Sequence, residues 1–98
     1  MDTDILNKAK YYCARAERSP RNLRLFLMRR EVPSDEIDEY LAQLQEGRYY
    51  DPQRYTESYA RTRYRDMSQG PHKIRQALRM QEVPTEIIDA VLPEVIEA

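Results

Sequence analysis

The segment Arg29–Leu41, RREVPSDEIDEYL, returns fifty-one residues later as Met80–Leu92, MQEVPTEIIDAVL, in a chain of only 98 residues. At that offset Ser19–Glu46 lies over Gly70–Glu97 without a gap, and ten of 28 positions are identical. They are Pro20/Pro71, Arg24/Arg75, Leu27/Leu78, Glu31/Glu82, Val32/Val83, Pro33/Pro84, Ile37/Ile88, Asp38/Asp89, Leu41/Leu92 and Glu46/Glu97. Leu23/Ile74, Ser34/Thr85 and Leu44/Val95 keep apolar or capping character. Self-similarity at a fixed spacing marks a supersecondary unit used more than once. Any fold for this chain must build the same piece twice.

The piece reads as helix, corner, helix. Ser19-Pro20 and Gly70-Pro71 are helix starts, because proline at the first helical position lacks only an N–H that would have no partner there. Leu23, Phe26 and Leu27, matched by Ile74, Ala77 and Leu78, then take the i, i+3, i+4 spacing of one helix face. Val32-Pro33 and Val83-Pro84 end these helices, since a residue before proline avoids the α region. Ser34 and Thr85 are expected to cap the next helix, with Asp35, Glu36 and Glu86 in its first turn, where the helix dipole favours acids. Ile37, Tyr40, Leu41 and Leu44 form the next stripe, and Ile88, Val91, Leu92 and Val95 are its counterpart.

A further helix precedes each pair. The first spans about Asp4 to Arg18 and carries Ile5, Ala9, Tyr12, Cys13 and Ala16. The other spans about Pro52 to Met67, opens on Asp51-Pro52, and is expected to bury Tyr55, Tyr59 and Thr62. Gly47 is the expected left-handed stop between the units, and Pro93 should kink or end the sixth helix unless it starts a new short turn. The expectation is an all-α fold of six helices in two tandem three-helix repeats, 1–50 and 51–98, elongated or gently curved. Two glycines among 98 residues, with abundant Glu, Arg, Leu and Ala, fit helix better than strand and turn. A chain this short buries only about 60–65% of its unfolded surface, so the core must be modest.

The net charge of −1 hides an alternation. Residues 1–33 hold eight Lys/Arg against four Asp/Glu, and 34–51 hold one against six. Residues 52–83 hold seven against three, and 84–98 hold none against four. The first two helices of each unit are basic and the third is acidic, with the period of the repeat. Cys13 is the only cysteine, which excludes an internal disulfide and a cysteine-rich zinc site and fits a buried thiol in a reducing, cytoplasmic setting. No basic-then-apolar leader opens the chain, and no apolar run has the length of a membrane span.

Chemistry finds little purchase. Gly47 and Gly70 cannot make a phosphate-cradling loop, and His72, the sole histidine, follows Pro71 as a solvent-facing imidazole without a partner nucleophile. Asp35, Glu36, Asp38 and Glu39 lack calcium-loop spacing and lie opposite the Ile37/Leu41 stripe, as a solvated helix face does. No catalytic residue, cofactor or metal site is expected.

Two basic groups remain. In RYTESYARTRYR, Arg54–Arg65, the residues Arg61, Arg63 and Arg65 step by about 200° around a helix, so some point outward, with Tyr64 near them. Interleaved Arg and Tyr serves nucleic acids, guanidinium to phosphate and ring to base. It serves protein interfaces equally well, and it also fits a helix with a tyrosine core face and a solvated arginine face. The second group is Arg21, Arg24, Arg29 and Arg30, with Lys73, Arg75 and Arg79 in the other unit. Arg24 and Arg75 hold one repeat position, which suits either a weak interhelical ion pair or a repeated basic ridge.

The order and spacing of these blocks resemble the RecX regulatory proteins of bacteria. The resemblance rests on YYCARAERSPRNLRLFLMRREV, on EIDEYLAQLQEGRYYDPQRYTESYARTRYR, and on GPHKIRQALRMQEVPTEIIDAVL, and covers nearly the whole chain. It implies tandem three-helix repeats and a binding role without catalysis. The implied partner is the RecA recombinase filament on single-stranded DNA, whose strand exchange, ATP turnover and co-protease activity the family suppresses, and the implied state is a cytoplasmic monomer. The contact residues implied by position and charge are Arg54, Arg61, Arg63, Arg65, Lys73 and Arg75, with Arg21 and Arg24 as the equivalent group in the first unit. Usual members run through three repeats, whereas this chain stops at VLPEVIEA, where a third would begin. Two other roles fit the same residues, a small helical module that binds DNA directly and an adaptor whose basic and acidic faces pair with copies of itself.

Overall fold

The first helix stops sooner than its apolar period suggests. In the computed structural model, which describes residues 1–97, α1 spans Thr3–Arg15. Asp2 caps it, its carboxylate accepting the N–H groups of Asp4 at 2.8 Å and Ile5 at 3.2 Å. Ala16 then turns to extended backbone, and Arg18 folds back so that its Nε donates to the Tyr12 carbonyl at 2.9 Å. That carbonyl belongs to the last turn, where no helical N–H can reach it. Ala16 is exposed as a result, while Ala9 and Cys13 are buried and Ile5 and Tyr12 half-buried.

The remaining elements are α2 Pro20–Met28, α3 Ser34–Glu46, α4 Pro52–Arg61, a π-helical turn Thr62–Asp66, α5 Pro71–Met80 and α6 Thr85–Glu97. The fold is all-α, and no strand occurs among the described residues. The chain divides into two compact units, one of residues 1–18 and 22–51, the other of 19–21 with 52 onward.

The recurring corner is built the same way in both. Glu31 and Glu82 have φ of 63° and 64°, the left-handed conformation. The Glu31 N–H donates to Met28 O at 2.9 Å and Val32 N–H to Leu27 O at 3.2 Å. In the other copy Glu82 donates to Arg79 O at 2.9 Å and Val83 to Leu78 O at 3.1 Å. This is the Schellman helix end, with the buried valine packing back toward the buried leucine whose carbonyl it uses. Glutamate takes the place usually given to glycine, at a cost of about 1 kcal/mol. Pro33, and not Ser34, holds the cap position of α3, without a side-chain cap hydrogen bond. Its fixed φ and missing N–H suit the point where one helix has ended and the next begins.

Gly47 departs from expectation. Its φ is −79°, and the left-handed residue after α3 is Arg48, φ 62°. Arg48 N–H bonds Gln45 O at 3.0 Å and Tyr49 N–H bonds Leu44 O at 2.9 Å, so this is a third Schellman end. What position 47 needs is room: a Cβ there would stand 2.9 Å from Tyr49 Cδ2.

The first unit packs Ala9, Cys13, Leu23, Leu27, Val32, Ile37, Tyr40, Leu44 and Tyr50, with Phe26 and Leu41 at the margin. Tyr40 is 2% exposed, and its hydroxyl accepts the Asp2 N–H at 2.8 Å, which gives a buried ring a partner for its polar end. The second unit packs Ala60, Ile74, Leu78, Val83, Ile88, Val91, Leu92 and Val95. On α4 the fully buried residues are Thr56 and Ala60, whereas Tyr55 and Tyr59 are half-buried and Thr62 is exposed. Thr56 is accommodated because its hydroxyl donates to Pro52 O at 2.7 Å, within its own helix. α6 runs on through Pro93 to Glu97. Proline removes the bond to the Asp89 carbonyl, but Pro93 faces solvent while Leu92 and Val95 on either side are buried and hold the helix to the core.

Candidate functional site

In the second unit the basic residues sort by helical position. Arg61 closes α4, and Arg63 and Arg65 lie on the π-helical turn. That turn is defined by Met67 N–H donating five residues back to Thr62 O at 3.2 Å, followed by Gln69 N–H to Arg63 O at 2.9 Å. Extra-wide turns of this kind cluster at functional positions. Tyr55 and Tyr59, one turn apart, have ring centroids 5.7 Å apart, and the Arg63 guanidinium sits 4.7 Å from the centre of the Tyr59 ring. Burial raises the Tyr55 pKa, and the neighbouring Tyr59 adds to this; a hydrogen bond with Ser19 and the Arg63 charge oppose it. Tyr55 therefore stays a neutral phenol, and Arg63 is held on an aromatic shelf.

Arg61 and Arg65, four residues apart, are exposed, as are Arg54 and Lys73. No ion pair engages Arg61, Arg65 or Lys73 among the described residues. Tyr59 and Tyr64 are both half-buried against the core, and the ring that meets a guanidinium is that of Tyr59. Arg75 differs from the rest. Its Nη1 lies 2.6 Å from Asp89 Oδ1, a helix-to-helix ion pair. Residues 19–21 pack as part of this unit: Ser19 is fully buried and donates to Gln81 Oε1 at 2.7 Å, and Arg21 N–H donates to Gln81 O at 3.1 Å. That places the exposed Arg21 side chain on the second unit as well. Arg24 belongs to the first unit, half-buried, with Nη1 3.3 Å from Met28 Sδ.

Residues 51–92, the whole of α4, the π-helical turn and α5 and most of α6, match the family model described as RecX, second three-helix domain. The chain belongs to the RecX family. It is 31% identical over 87 residues to the regulatory protein RecX of Geobacillus kaustophilus, 89% of this chain and 32% of that one. The regulatory protein RecX of Listeria monocytogenes serotype 4a is 30% identical over 89 residues, 91% of this chain and 33% of its own length. That of Streptococcus equi subsp. zooepidemicus is 25% identical over 88, covering 90% and 34%. The chain spans about a third of the length of the curated relatives it matches. No solved structure matches it. The RecX match falls on the unit that carries Arg54, Arg61, Arg65 and Lys73. No helix among the described residues is long and apolar enough to cross a membrane.

One arrangement escaped sequence reasoning. In the first unit Tyr12 and Phe26 stack with centroids 4.5 Å apart, and guanidinium groups cover their outer faces, Arg18 at 3.7 Å and Arg30 at 3.6 Å. The available signal was the i, i+4 spacing of Phe26 and Arg30.

Proposed function

We propose that this chain is a regulator that acts by binding the RecA recombinase filament on single-stranded DNA, lowering strand exchange, ATP turnover and co-protease activity without chemistry of its own. The second unit would supply the contact. Arg54, Arg61, Arg65, Lys73 and Arg21 present their charge to the partner, and Arg63 is held ready on Tyr59. The reading is carried by exposed cations at α4, the π-helical turn and the start of α5, inside the segment that matches the RecX domain. Arg75 joins the proposed contact as its margin, since it must share its guanidinium with Asp89, and Arg24 is the corresponding contact proposed for the first unit.

Arg63, held on Tyr59, suits a polyanionic or acidic partner because less side-chain freedom is lost on binding. With a net charge of −1, the chain has a weak general attraction for bare duplex, whose binding strengthens with each phosphate neutralised. A coated filament offers protein and strand together.

The test is RecA ATPase on single-stranded DNA with the chain added, beside a variant with Arg61, Arg63 and Arg65 all changed to Ala. Inhibition at micromolar chain that the variant lacks is the expected outcome. No effect of the parent chain sinks the function, and equal inhibition by the variant sinks the site assignment alone.

A further inference from the structure

We infer that the α1–α2 face of the first unit is a binding site for single-stranded nucleic acid, with one base stacked on Tyr11 and neighbouring phosphates held by Lys8, Arg15 and Arg30. A recess of about 210 Å³ opens there, lined by Lys8, Tyr11, Tyr12, Arg15, Phe26 and Arg30. Three of those six residues are cations, three are aromatic, and none is acidic.

Tyr11 is the first reason. It is 78% exposed, the most exposed large hydrophobic side chain in the described structure. Its neighbour Tyr12 turns inward to stack on Phe26, so Tyr11 is left with a face available to a flat partner. A nucleobase is such a partner whatever its identity, because every base has a π face.

Preorganisation is the second reason. Arg30 lies over Phe26 and donates from Nη1 to the Phe26 carbonyl at 3.1 Å; Arg18 lies over Tyr12 and donates to the Tyr12 carbonyl at 2.9 Å. Each guanidinium is fixed by a ring face and a backbone oxygen, and each has five N–H donors, so several still point away from the stack. A planar fork held this way meets a phosphate with little further ordering. Lys8 and Arg15 flank Tyr11 one turn before and one turn after it, which matches a strand running along α1.

The chemistry separates this ligand from its rivals. An acidic peptide would pair with the cations and leave Tyr11 in water. A duplex would meet the cations too, but its bases are stacked on each other and offer no face to the ring. This site is independent of the filament reading, since it concerns a bare strand and the other unit.

The experiment is fluorescence anisotropy of a labelled oligothymidylate of about 16 nucleotides titrated with the whole chain. Saturable binding is expected, with Tyr11→Ala raising Kd about 5- to 100-fold and Tyr11→Phe leaving it within about twofold of the parent. Lys8→Gln and Arg15→Gln should each lower the slope of log K against log salt by about one. Because Tyr11 is exposed, circular dichroism of these variants should match the parent. The proposal is overturned by any of four results: no saturable binding, equal affinity of Tyr11→Ala and parent, duplex binding as tight as single strand, or polyglutamate competing as well as unlabelled oligonucleotide. An unchanged affinity in Tyr11→Ala removes this site and leaves the ATPase result on Arg61, Arg63 and Arg65 as it stands.

Discussion

The pairs α2–α3 and α5–α6 are nearly one structure written twice, whereas α1 and α4 share little beyond being helices. In the pairs, Leu23 and Ile74, Leu27 and Leu78, Tyr40 and Val91, and Leu44 and Val95 are buried at matching positions. The leading helices part company at their ends. α1 stops at Arg15 and passes into extended chain, while α4 continues into a π-helical turn. The cations that follow them differ as well: Arg18 lies over Tyr12 and bonds its carbonyl, whereas Arg63 lies over Tyr59 and its neighbours Arg61 and Arg65 stand in solvent. Burial fixes the corner, and the leading helix is where two copies of one unit acquire different surfaces.

The widest test of that contrast is to damage the shared part in both places. Leu27→Ala and Leu78→Ala each remove a fully buried side chain and should cost about 2–5 kcal/mol in urea unfolding. If one is tolerated, the two cores are not equivalent. A narrower test uses the repeat position where the third helices disagree, Ala42 in α3 and Pro93 in α6. Ala42→Pro should lose about 3 kcal/mol, and Pro93→Ala should gain up to about the same, read as opposite shifts of the urea midpoint. A smaller effect separates the neighbours at the end of α3. Arg48→Gly should stabilise by about 1 kcal/mol by relieving a left-handed backbone, while Gly47→Ala should cost less than about 1 kcal/mol, because the exposed Tyr49 ring can move aside. A large loss from Gly47→Ala would mean that the Tyr49 ring is held in place. The smallest effect belongs to Arg75 and Asp89, whose side chains are 31% and 58% exposed. A double-mutant cycle should find about 0–1 kcal/mol of coupling, fading as salt is added.

Much of this could be read from residues alone. The offset of fifty-one, the prolines at Pro20, Pro71, Pro33 and Pro84, and the apolar stripes placed six helices and most of the core. The misses have physical causes. Glu31, Glu82 and Arg48 take left-handed backbone that residue preference assigns to glycine, because the Schellman hydrogen bonds outweigh the strain. Thr56 reads as polar and is buried, since its hydroxyl bonds within its own helix. The π-helical turn has no periodic signature at all. The basic residues were visible as types, but whether each is paired, stacked or exposed depends on neighbours brought close by folding, as the different fates of Arg63, on the Tyr59 ring, and Arg75, bonded to Asp89, illustrate.

The π-helical turn has a further consequence for how the second unit can change. A helix that swells by one residue absorbs an insertion locally, so the stripe before it and the loop after it keep their places. Removing a single residue between Thr62 and Asp66 should let the segment rewind as ordinary α-helix and swing Arg63 off the Tyr59 ring while leaving the α5–α6 corner untouched. Length variation confined to this one coil would retune the charged surface without asking the core to repack.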